Sequence, residues 1–424
     1  MGFSGSTKPK DQYVNLLLVS PDFFPTRGGA ELRFWRYLPG FRQRGISSQI
    51  LSGTPVARKL RAVDIESKWY QQEIGSLIVE NTVEGFPIRQ IRLPDRGPSK
   101  RSIILNKELL RLCKESRYCP DVVQFLSSLP PSAGIYLKKL HALGIPSVFA
   151  YTLPGKHPSN PLKRILRKVS FRSLCHKLDC IITASIATKN LLLQMGVKSR
   201  IEVIPNGVDL KRFRAPQSES ERMDLRAKLG IDSKSQVILS IGAIHPRKGV
   251  DILLESWILL AKRFPDLHLY LIGMRHDLNA SELSGFSNRL DEMVRASNAV
   301  ERVHFMGYIE NVDEYLKAAD VLVFPSRREG MPNAVLEAMA SGLPCVLTPF
   351  IGLSPDLGKA NHEYLLVDHD FKAIEDTVSS VLENHDLQNR LGANGRKWVE
   401  NTMDIQDVLN RYAQLYKNLS KSKI

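Results

Sequence analysis

The feature that most constrains this chain is a set of short, uniformly apolar runs separated by segments long enough to hold a helix. Polar and apolar residues do not alternate within these runs, which is typical of strands covered on both faces. Parallel strands need a crossover of about a dozen residues, usually a helix, so the spacing predicts parallel sheets. The runs begin at Asn15, Ser48, Asp121, Ser147 and Cys180 in the first half, and at Val237, Leu267, Val303, Val321 and Pro344 in the second.

The length of the chain indicates two domains, because a single core stops growing at about 250–300 residues and the chain has 424. We predict an α/β protein with two tandem Rossmann-like, doubly wound domains. A strand ends at Pro205, a turn follows at 206–207, and the polar stretch 215–221 resembles a linker. The predicted domains are therefore 1–212 and 213–403, followed by a helical segment at 404–424. A surface loop within one large domain is the alternative.

The basic character of the chain belongs to its first half. Residues 1–200 hold 32 Lys and Arg against 13 Asp and Glu, whereas residues 201–424 have a net charge of −4. Nucleic acid, an anionic membrane surface or a phosphorylated ligand would each complement this charge.

One basic segment, residues 161–177, has the pattern of an amphipathic helix. Such a helix can lie on anionic lipid, so an anionic membrane surface is a candidate partner of this segment. A helix that packs its apolar face on the core and leaves its basic face in solvent explains the pattern equally. The apolar face holds Leu162, Ile165, Leu166 and Val169, and the basic residues Lys163, Arg164, Arg167 and Lys168 lie toward the other face.

The cysteine pattern indicates a reducing compartment. The five cysteines are odd in number and form no CxxC pair, which argues against a disulfide framework or a zinc site. The first residues do not resemble a signal peptide, and no apolar run reaches the length of about 18 that a spanning helix needs. We expect a cytoplasmic protein, with peripheral association at the inner face of the membrane as the further option.

Candidate site residues follow the predicted strands, because open parallel sheets bind ligands outside the carboxyl ends of their strands. After the first run, Gly28 and Gly29 lead into a predicted helix. Paired glycines let backbone N–H groups approach a phosphate, and the helix N-terminus favours an anion. A tight turn is the simpler explanation. The segment is neither a GxGxxG motif nor a P-loop, so it does not indicate a dinucleotide oxidoreductase or a kinase.

Two further segments follow strands in the second half. Arg247 and Lys248 come after VILSIG and precede a helix, where they could neutralise a diphosphate or simply be solvated. Glu329 lies in the loop after VLVFPS, and Glu337 lies inside the next helix, about 6 Å along its axis from Asn333.

The loop and first turn between the two carboxylates hold Gly330, Met331, Pro332 and Asn333. Their backbone N–H groups could bind an anion, with a hydroxyl acceptor on either side. A nucleotide-sugar has the matching order of ribose diol, diphosphate and sugar hydroxyls. An exposed Glu329 and a capping or paired Glu337 are the alternative interpretation.

In combination, these segments resemble the family-four retaining glycosyltransferases of the GT-B fold. The resemblance rests on GGAE, IPNGVD, RKG and EGMPNAVLEAMASGLPCV in that order, and it runs from about residue 14 to residue 420. It implies two domains facing a cleft, with nucleotide-sugar bound by the second and acceptor by the first. It also implies that the helix at 404–424 packs back on the first domain.

The resemblance implies a role for each matched residue. Glu329 would contact the transferred sugar and Glu337 the ribose, while Lys248 would stabilise the diphosphate leaving group. Gly28 and Gly29 would approach that group from the first domain. The remaining donor-binding candidates are Arg247, Gly330, Met331, Pro332 and Asn333.

This sequence departs from the family pattern at two places. Most members carry Arg where this chain has Ala243, and Arg247 is the candidate replacement. Many members also have a His after the strand that corresponds to SVFAY, where this chain has Thr152, with His157 displaced by five residues. Together with Glu31, Thr152 and His157 are the acceptor-side candidates.

The family's retention of configuration is commonly explained by front-face attack, in which the protein's contribution is electrostatic. On this basis we expect neither a metal nor a cofactor. The single Asp-x-Asp, Asp368 to Asp370, is better explained as a surface turn.

Three other function classes are alternatives for this sequence. A weakly active or non-catalytic relative that binds nucleotide-sugar or a partner glycosyltransferase is suggested by Ala243 and the missing His. An RNA-binding protein is disfavoured because no RNA-recognition motif accompanies the basic residues. A sugar-nucleotide epimerase or phosphorylase of the same fold fits the context of Glu329 and Glu337 less well. The sequence leaves open the donor, for which uridine diphosphate sugars and guanosine diphosphate mannose are both candidates, and the acceptor.

Overall fold

The structure is a computed structural model that describes residues 13–23, 29–53, 78–94, 97–115, 119–126, 129–152, 160–275 and 281–422. Gly28 and His157 lie outside the described residues. The chain divides into two compact units, Met1–Ile204 with Gln406–Ile424, and Pro205–Ile405.

The first unit is built on an eight-stranded sheet with the order β3-β4-β2-β1-β5-β6-β7-β8. All neighbours are parallel except β3 and β4. Its strands are β1 (Val14–Ser20), β2 (Ile46–Gly53), β3 (Ile78–Val83), β4 (Phe86–Ile91), β5 (Val122–Phe125), β6 (Ser147–Tyr151), β7 (Cys180–Thr183) and β8 (Ile201–Val203). Its helices are α1 (Gly29–Gln43), α2 (Pro98–Leu112), α3 (Ala133–Ala142), α4 (Pro161–Cys175) and α5 (Ile186–Gln194).

The second unit holds a six-stranded parallel sheet with the order β11-β10-β9-β12-β13-β14. Its strands are β9 (Gln236–Ile241), β10 (Leu267–Ile272), β11 (Val303–Gly307), β12 (Val321–Phe324), β13 (Cys345–Leu347) and β14 (Leu365–Leu366). Its helices are α6 (Glu219–Lys228), α7 (Val250–Arg263), α8 (Ser281–Ala296), α9 (Val312–Ala318), α10 (Asn333–Ala340), α11 (Phe371–Glu383) and α12 (His385–Thr402).

The predicted fold class of two parallel α/β domains is confirmed, and all ten apolar runs are strands. Each inner strand is buried along nearly its whole length, as in β5, β6, β7 and β12. Burial on both faces explains why these strands read as uniform apolar runs, since helices cover both sides of such a sheet.

Three strands were not predicted because their residues are not uniformly buried. β3 and β4 form a hairpin at one edge of the first sheet, and β3 alternates between exposed and half-buried residues. Their turn places Glu84 at φ 51° and Gly85 at φ 79°, which is the geometry of a tight hairpin. β14 has only two residues, at the edge of the second sheet.

The final helix, α13 (Ile405–Lys421), packs on the first unit. Tyr412 contacts Phe34 of α1 with ring centroids 5.6 Å apart, and the Tyr416 hydroxyl donates to Gln124 Oε1 at 2.5 Å. Both tyrosines are fully buried. The apolar face of this amphipathic helix therefore completes the core of the unit that begins the chain.

The division of the chain falls at Ile204 and Pro205, eight residues before the boundary at 212 that the sequence suggested. The intervening residues are bound to the second unit. Val208 donates its backbone N–H to Met403 O at 2.8 Å, and Arg212 Nε donates to Asp313 Oδ1 at 2.8 Å.

Helix α4 is not the core-facing helix that one interpretation of its pattern required. Residues 161–169 are all exposed, and the only buried residues of α4 are Leu174 and Cys175. The apolar positions of its first turns therefore face solvent.

Candidate functional site

The candidate site of the second unit is formed by the loops that follow two neighbouring strands. β9 and β12 pair in parallel through Ile238 with Val321 and Leu239 with Leu322. Their carboxyl ends lie at the same edge of the sheet, where ligands bind in folds of this class. The segments after them, 242–249 and 325–332, therefore lie side by side.

The loop after β12 is held by backbone hydrogen bonds on both sides. Arg327 N–H donates to Arg247 O at 2.9 Å, which joins this loop to the loop after β9. On the other side, Glu329 N–H donates to Ile351 O and Ile351 N–H donates to Arg327 O, both at 3.0 Å. The backbone that carries Glu329 is thus fixed independently of its side chain.

The Glu329 carboxylate is the centre of the site. Its Oε1 lies 2.8 Å from Lys248 Nζ, 2.8 Å from Arg247 Nη1 and 2.6 Å from Ser326 Oγ. The side chain is 12% exposed, so these bonds lie in a partly desolvated position. Two cations and one carboxylate leave a net positive charge here, which suits a ligand that carries phosphate.

Lys248 reaches this position through a tight turn. It ends the 3₁₀ segment Pro246–Lys248 after β9, and its chain lies along Gly242, where a Cβ would come within 3.2 Å of Nζ. At Gly249, with φ 69°, a Cβ would lie 2.1 Å from Pro325 O. Only glycine fits at that position, because the contact is with backbone that cannot move aside.

Arg247 was expected to compensate for the arginine missing at Ala243. In the structure its Nη1 donates to Arg328 O at 2.5 Å as well as to Glu329. Its side chain is 42% exposed, against 16% for Lys248. Arg247 therefore stabilises the loop that carries Glu329, while Lys248 is the more enclosed cation. The role of Arg247 in diphosphate binding stays a prediction.

The loop leads directly into α10, whose N-cap is Pro332. Met331 is buried, and Gly330 and Asn333 are half-buried. The amide groups of a helix start carry partial positive charge, so this turn adds to the field of the two cations. Glu337 lies in α10, four residues after Asn333, and is half-buried.

Asn206 secures the start of α10 from a distant part of the sequence. Its Nδ2 donates to Asn333 Oδ1 at 2.6 Å and to Met331 O at 3.1 Å. The residue is 7% exposed. Its two bonds fix the turn that separates the two carboxylates.

Asn206 and Ser326 were missed as site residues by the sequence analysis. Ser326 is fully buried and could have been suspected, because it lies two residues after the end of β12. Asn206 lies in the IPNGVD segment, which was its only signal in the sequence. Its contact with Asn333 could not be predicted, because the two residues are 127 positions apart.

In the first unit, Glu31 lies in the first turn of α1 beside the end of β1. Ser20, the last residue of β1, has its Oγ 3.0 Å from Glu31 Oε1 and 3.2 Å from Asp22 O. Burial raises the pKa of the Glu31 carboxyl above its ordinary value, and its hydrogen bonds only partly offset this. Gly29 begins the same helix.

Thr152 is exposed and directly follows β6. The residue therefore lies at the carboxyl edge of the first sheet, and its role on the acceptor side stays a prediction.

The described residues hold no cluster of metal-ligating side chains. Among them, no group of three or more His, Cys, Asp or Glu residues could hold a metal ion. Asp370 instead caps α11, with its Oδ1 accepting from Lys372 N–H at 2.9 Å and Ala373 N–H at 3.0 Å. Over the described ranges, no helix is both long enough and apolar enough to cross a membrane.

Two protein-family models together match most of the chain. Residues 27–212 match the model described as Glycosyltransferase Family 4, and residues 221–398 match the model described as Glycosyl transferases group 1. The chain belongs to the group 1 glycosyltransferases. The resemblance drawn from GGAE, IPNGVD, RKG and the segment around Glu329 is thereby confirmed.

Several curated glycosyltransferases are similar in sequence. Mannosylfructose-phosphate synthase of Agrobacterium fabrum is 30% identical over 51% of this chain and 47% of its own length. The UDP-Gal:alpha-D-GlcNAc-diphosphoundecaprenol alpha-1,3-galactosyltransferase of Escherichia coli is 28% identical over 74% of this chain and 79% of its own. The first match therefore spans about half of that relative.

Solved structures show the same fold at low sequence identity. Sucrose-phosphate synthase of Thermosynechococcus elongatus matches with a TM-score of 0.77 and 20% identity, covering 96% of this chain and 100% of that one. HepE of Anabaena, in complex with UDP and glucose, matches with a TM-score of 0.70 and 17% identity over 96% and 100%. The expected GT-B fold class is confirmed by this likeness.

Proposed function

We propose that this glycosyltransferase transfers a hexosyl group from a nucleoside-diphosphate sugar to a hydroxyl group, with retention of the anomeric configuration. The observation that carries the proposal is the contact of Glu329 with Lys248 and Arg247, next to the start of α10. A carboxylate and a cation are therefore in contact at a partly desolvated position. The carboxylate could accept hydrogen bonds from sugar hydroxyls, and the cation could bind phosphate.

In the proposed donor complex, the diphosphate lies against Lys248 and the amides at the start of α10. Glu329 accepts hydrogen bonds from hydroxyl groups of the sugar, and Glu337 accepts hydrogen bonds from the ribose hydroxyls. The rise of a helix places Glu337 about 6 Å beyond Asn333, which suits a ribose joined to that diphosphate. Arg247 and Ser326 hold Glu329 in place through the bonds described above.

The proposed reaction breaks the bond between the anomeric carbon and the diphosphate oxygen. The acceptor oxygen bonds to that carbon from the same face, and its proton passes to an oxygen of the leaving diphosphate. Negative charge on the diphosphate grows during this step, so a cation at Lys248 Nζ stabilises the transition state more than the ground state. No protein base is needed for the proton transfer.

For the acceptor we propose a glycan, lipid-linked or phosphorylated substrate used in polysaccharide or glycoconjugate synthesis. The excess of basic residues in the first 200 positions supports an anionic acceptor. The E. coli relative bears the name of an enzyme that acts on a diphosphoundecaprenol-linked sugar. Glu31 and Thr152 are the proposed acceptor-side residues among those described.

Donor turnover by purified protein tests the proposal. Uridine and guanosine diphosphate sugars are supplied singly, and release of nucleoside diphosphate is measured with and without an acceptor extract. Proton NMR of the product reports the anomeric configuration. Release that depends on Glu329 and retains configuration supports the proposal, whereas inversion contradicts the mechanism. Tight donor binding without any release would favour the non-catalytic alternative that Ala243 suggests.

A further inference from the structure

Helix α4 carries an exposed apolar stripe that the donor site does not explain. Its apolar residues follow the spacing i, i+3, i+4, i+7, which places them on one face of a helix. They are exposed by 63%, 57%, 60% and 49% in the order Leu162, Ile165, Leu166 and Val169.

Among the described residues, the core contacts of the helix lie at its C-terminal end. Phe171 packs against the first core, with its ring centroid 5.4 Å from that of Tyr151, and Leu174 and Cys175 are buried. At the other end, Asn160 caps the helix by accepting from Lys163 N–H at 3.1 Å. The first turns are thus a formed helix that presents its stripe outward.

The stripe is surrounded by positive charge. The sequence has no Asp or Glu between Asp121 and Asp179, so neither α4 nor its flanking segments carry an acid. The first turns instead carry four exposed basic residues. These are Lys163, Arg164, Arg167 and Lys168.

A basic groove continues from the end of the stripe at Val169. It runs beside the turn after α5, where His176 Nε2 lies 3.3 Å from Gly196 O. The Arg172 side chain lies along the same turn, since a Cβ on Gly196 would be 3.2 Å from its Cδ. The remaining cations of the groove are Lys177 and Lys198.

We propose that α4 and this groove form a docking surface for an anionic lipid bilayer. The apolar stripe enters the boundary between headgroups and acyl chains, and the basic residues contact lipid phosphates. This inference concerns a partner of the first unit and does not depend on the proposed donor site.

Two other occupants fit the surface less well. A nucleic acid or a soluble phosphate would use the basic residues and leave the stripe in water, where apolar surface is unfavourable. A second copy of the chain would cover the stripe but bring two basic rims together, and like charges at an interface are unfavourable. An anionic bilayer complements the apolar and the basic residues at once.

Co-sedimentation with vesicles tests the proposal on the full chain. Vesicles of phosphatidylcholine, with and without about a third phosphatidylglycerol, are used at low and high salt, since screening weakens such contacts. Wild-type protein is expected to bind the anionic vesicles at low salt. Ile165→Glu should reduce the partition coefficient by about tenfold or more, because a charge replaces a group that enters the acyl boundary.

Each surface variant has a matched control in the second unit. Val300→Glu is the control for Ile165→Glu, because it places the same charge at an apolar residue that is 51% exposed. For the basic rim, Lys163, Arg164, Arg167 and Lys168 are replaced together by Gln. The control replaces four exposed lysines of the second unit, which are Lys234, Lys262, Lys359 and Lys397.

Binding that is lost in both α4 variants and kept in both controls supports the proposal. Failure of wild-type protein to bind anionic vesicles at low salt overturns it, as does an equal loss in the controls. Light scattering is run in parallel without lipid, and dissociation of a dimer by Ile165→Glu would assign the stripe to a second copy instead. Unchanged melting temperatures show that loss of binding is not loss of folding.

Discussion

Lys248 Nζ and Glu329 Oε1 lie 2.8 Å apart, although the two residues are 81 positions apart in the sequence. The contact exists because β9 and β12 are neighbours in the second sheet and each residue follows one of them. It joins the cation proposed for the leaving diphosphate to the acid proposed for the sugar.

Replacing Lys248 by Ala should lower kcat much more than it weakens donor binding. A cation that meets growing charge acts mainly in the transition state, and losing such a group costs about 3 kcal/mol, roughly a hundredfold in rate. Initial rates and calorimetric titration with donor separate the two effects. Lys262→Ala, at an exposed residue near the end of α7, is the control. Equal losses in kcat and affinity would mean that Lys248 only binds.

Replacing Glu337 by Gln should abolish most of the thermal stabilisation that nucleoside diphosphates give. A ligand at a hundred times its dissociation constant stabilises by about 2.7 kcal/mol, and losing the ribose contact removes much of that binding. Melting temperatures with and without uridine or guanosine diphosphate measure the effect. Glu301→Gln changes the same charge at a residue whose side chain is 75% exposed. An undiminished shift in Glu337→Gln would contradict the ribose assignment.

Replacing Asn206 by Ala should destabilise the second unit and reduce activity together. The substitution leaves Asn333 Oδ1 and Met331 O without their donor, and losing partners of buried polar groups costs about 1–3 kcal/mol. Thermal unfolding and donor turnover are measured on the same samples. Asn401→Ala, at an exposed asparagine, serves as the comparison. Normal turnover in a destabilised Asn206 variant would show that the turn before α10 does not need this anchor.

Replacing Glu31 by Gln should stabilise the protein at neutral pH but not in acid. Because burial raises the folded-state pKa, the wild-type protein is penalised when Glu31 loses its proton. Below the ordinary value of 4.5 the carboxyl is neutral in both states, so the variant gains nothing there. The difference in melting temperature should therefore widen as pH rises through the folded-state pKa.

The matched comparison for this series is Glu84→Gln, at an exposed residue of the β3–β4 turn. A difference in melting temperature that stays constant with pH would contradict the role of burial at Glu31. The hydrogen bond that Ser20 donates to Glu31 favours the ionised carboxylate, but it offsets only part of the effect of burial.

The sequence predicted the inner strands well, because a strand that is buried on both faces consists of consecutive apolar residues, which is a local signal. The β3–β4 hairpin left no such signal, since Ile78 is 43% exposed and β3 is half in solvent. Strand ends also located Lys248 and Glu329 individually. Their contact could not be predicted from local pattern, because it depends on the strand order β9-β12, which skips two strands of the sequence.

The residues that hold the site in place could not be predicted from the sequence either. Ser326 and Asn206 act through hydrogen bonds whose geometry is set by tertiary structure, and neither residue is chemically unusual in its segment. Arg247 was assigned to the diphosphate from its charge alone. Its bonds to Arg328 O and Glu329 depend on how the two loops meet, which the sequence does not encode locally.

A crystal structure of the second unit's site with a bound nucleoside-diphosphate sugar tests the central claim most directly. The account predicts a diphosphate oxygen within about 3 Å of Lys248 Nζ at the start of α10, with sugar hydroxyls at Glu329 and the ribose at Glu337. Donor bound elsewhere, with the side chains of Glu329 and Glu337 untouched, would contradict it.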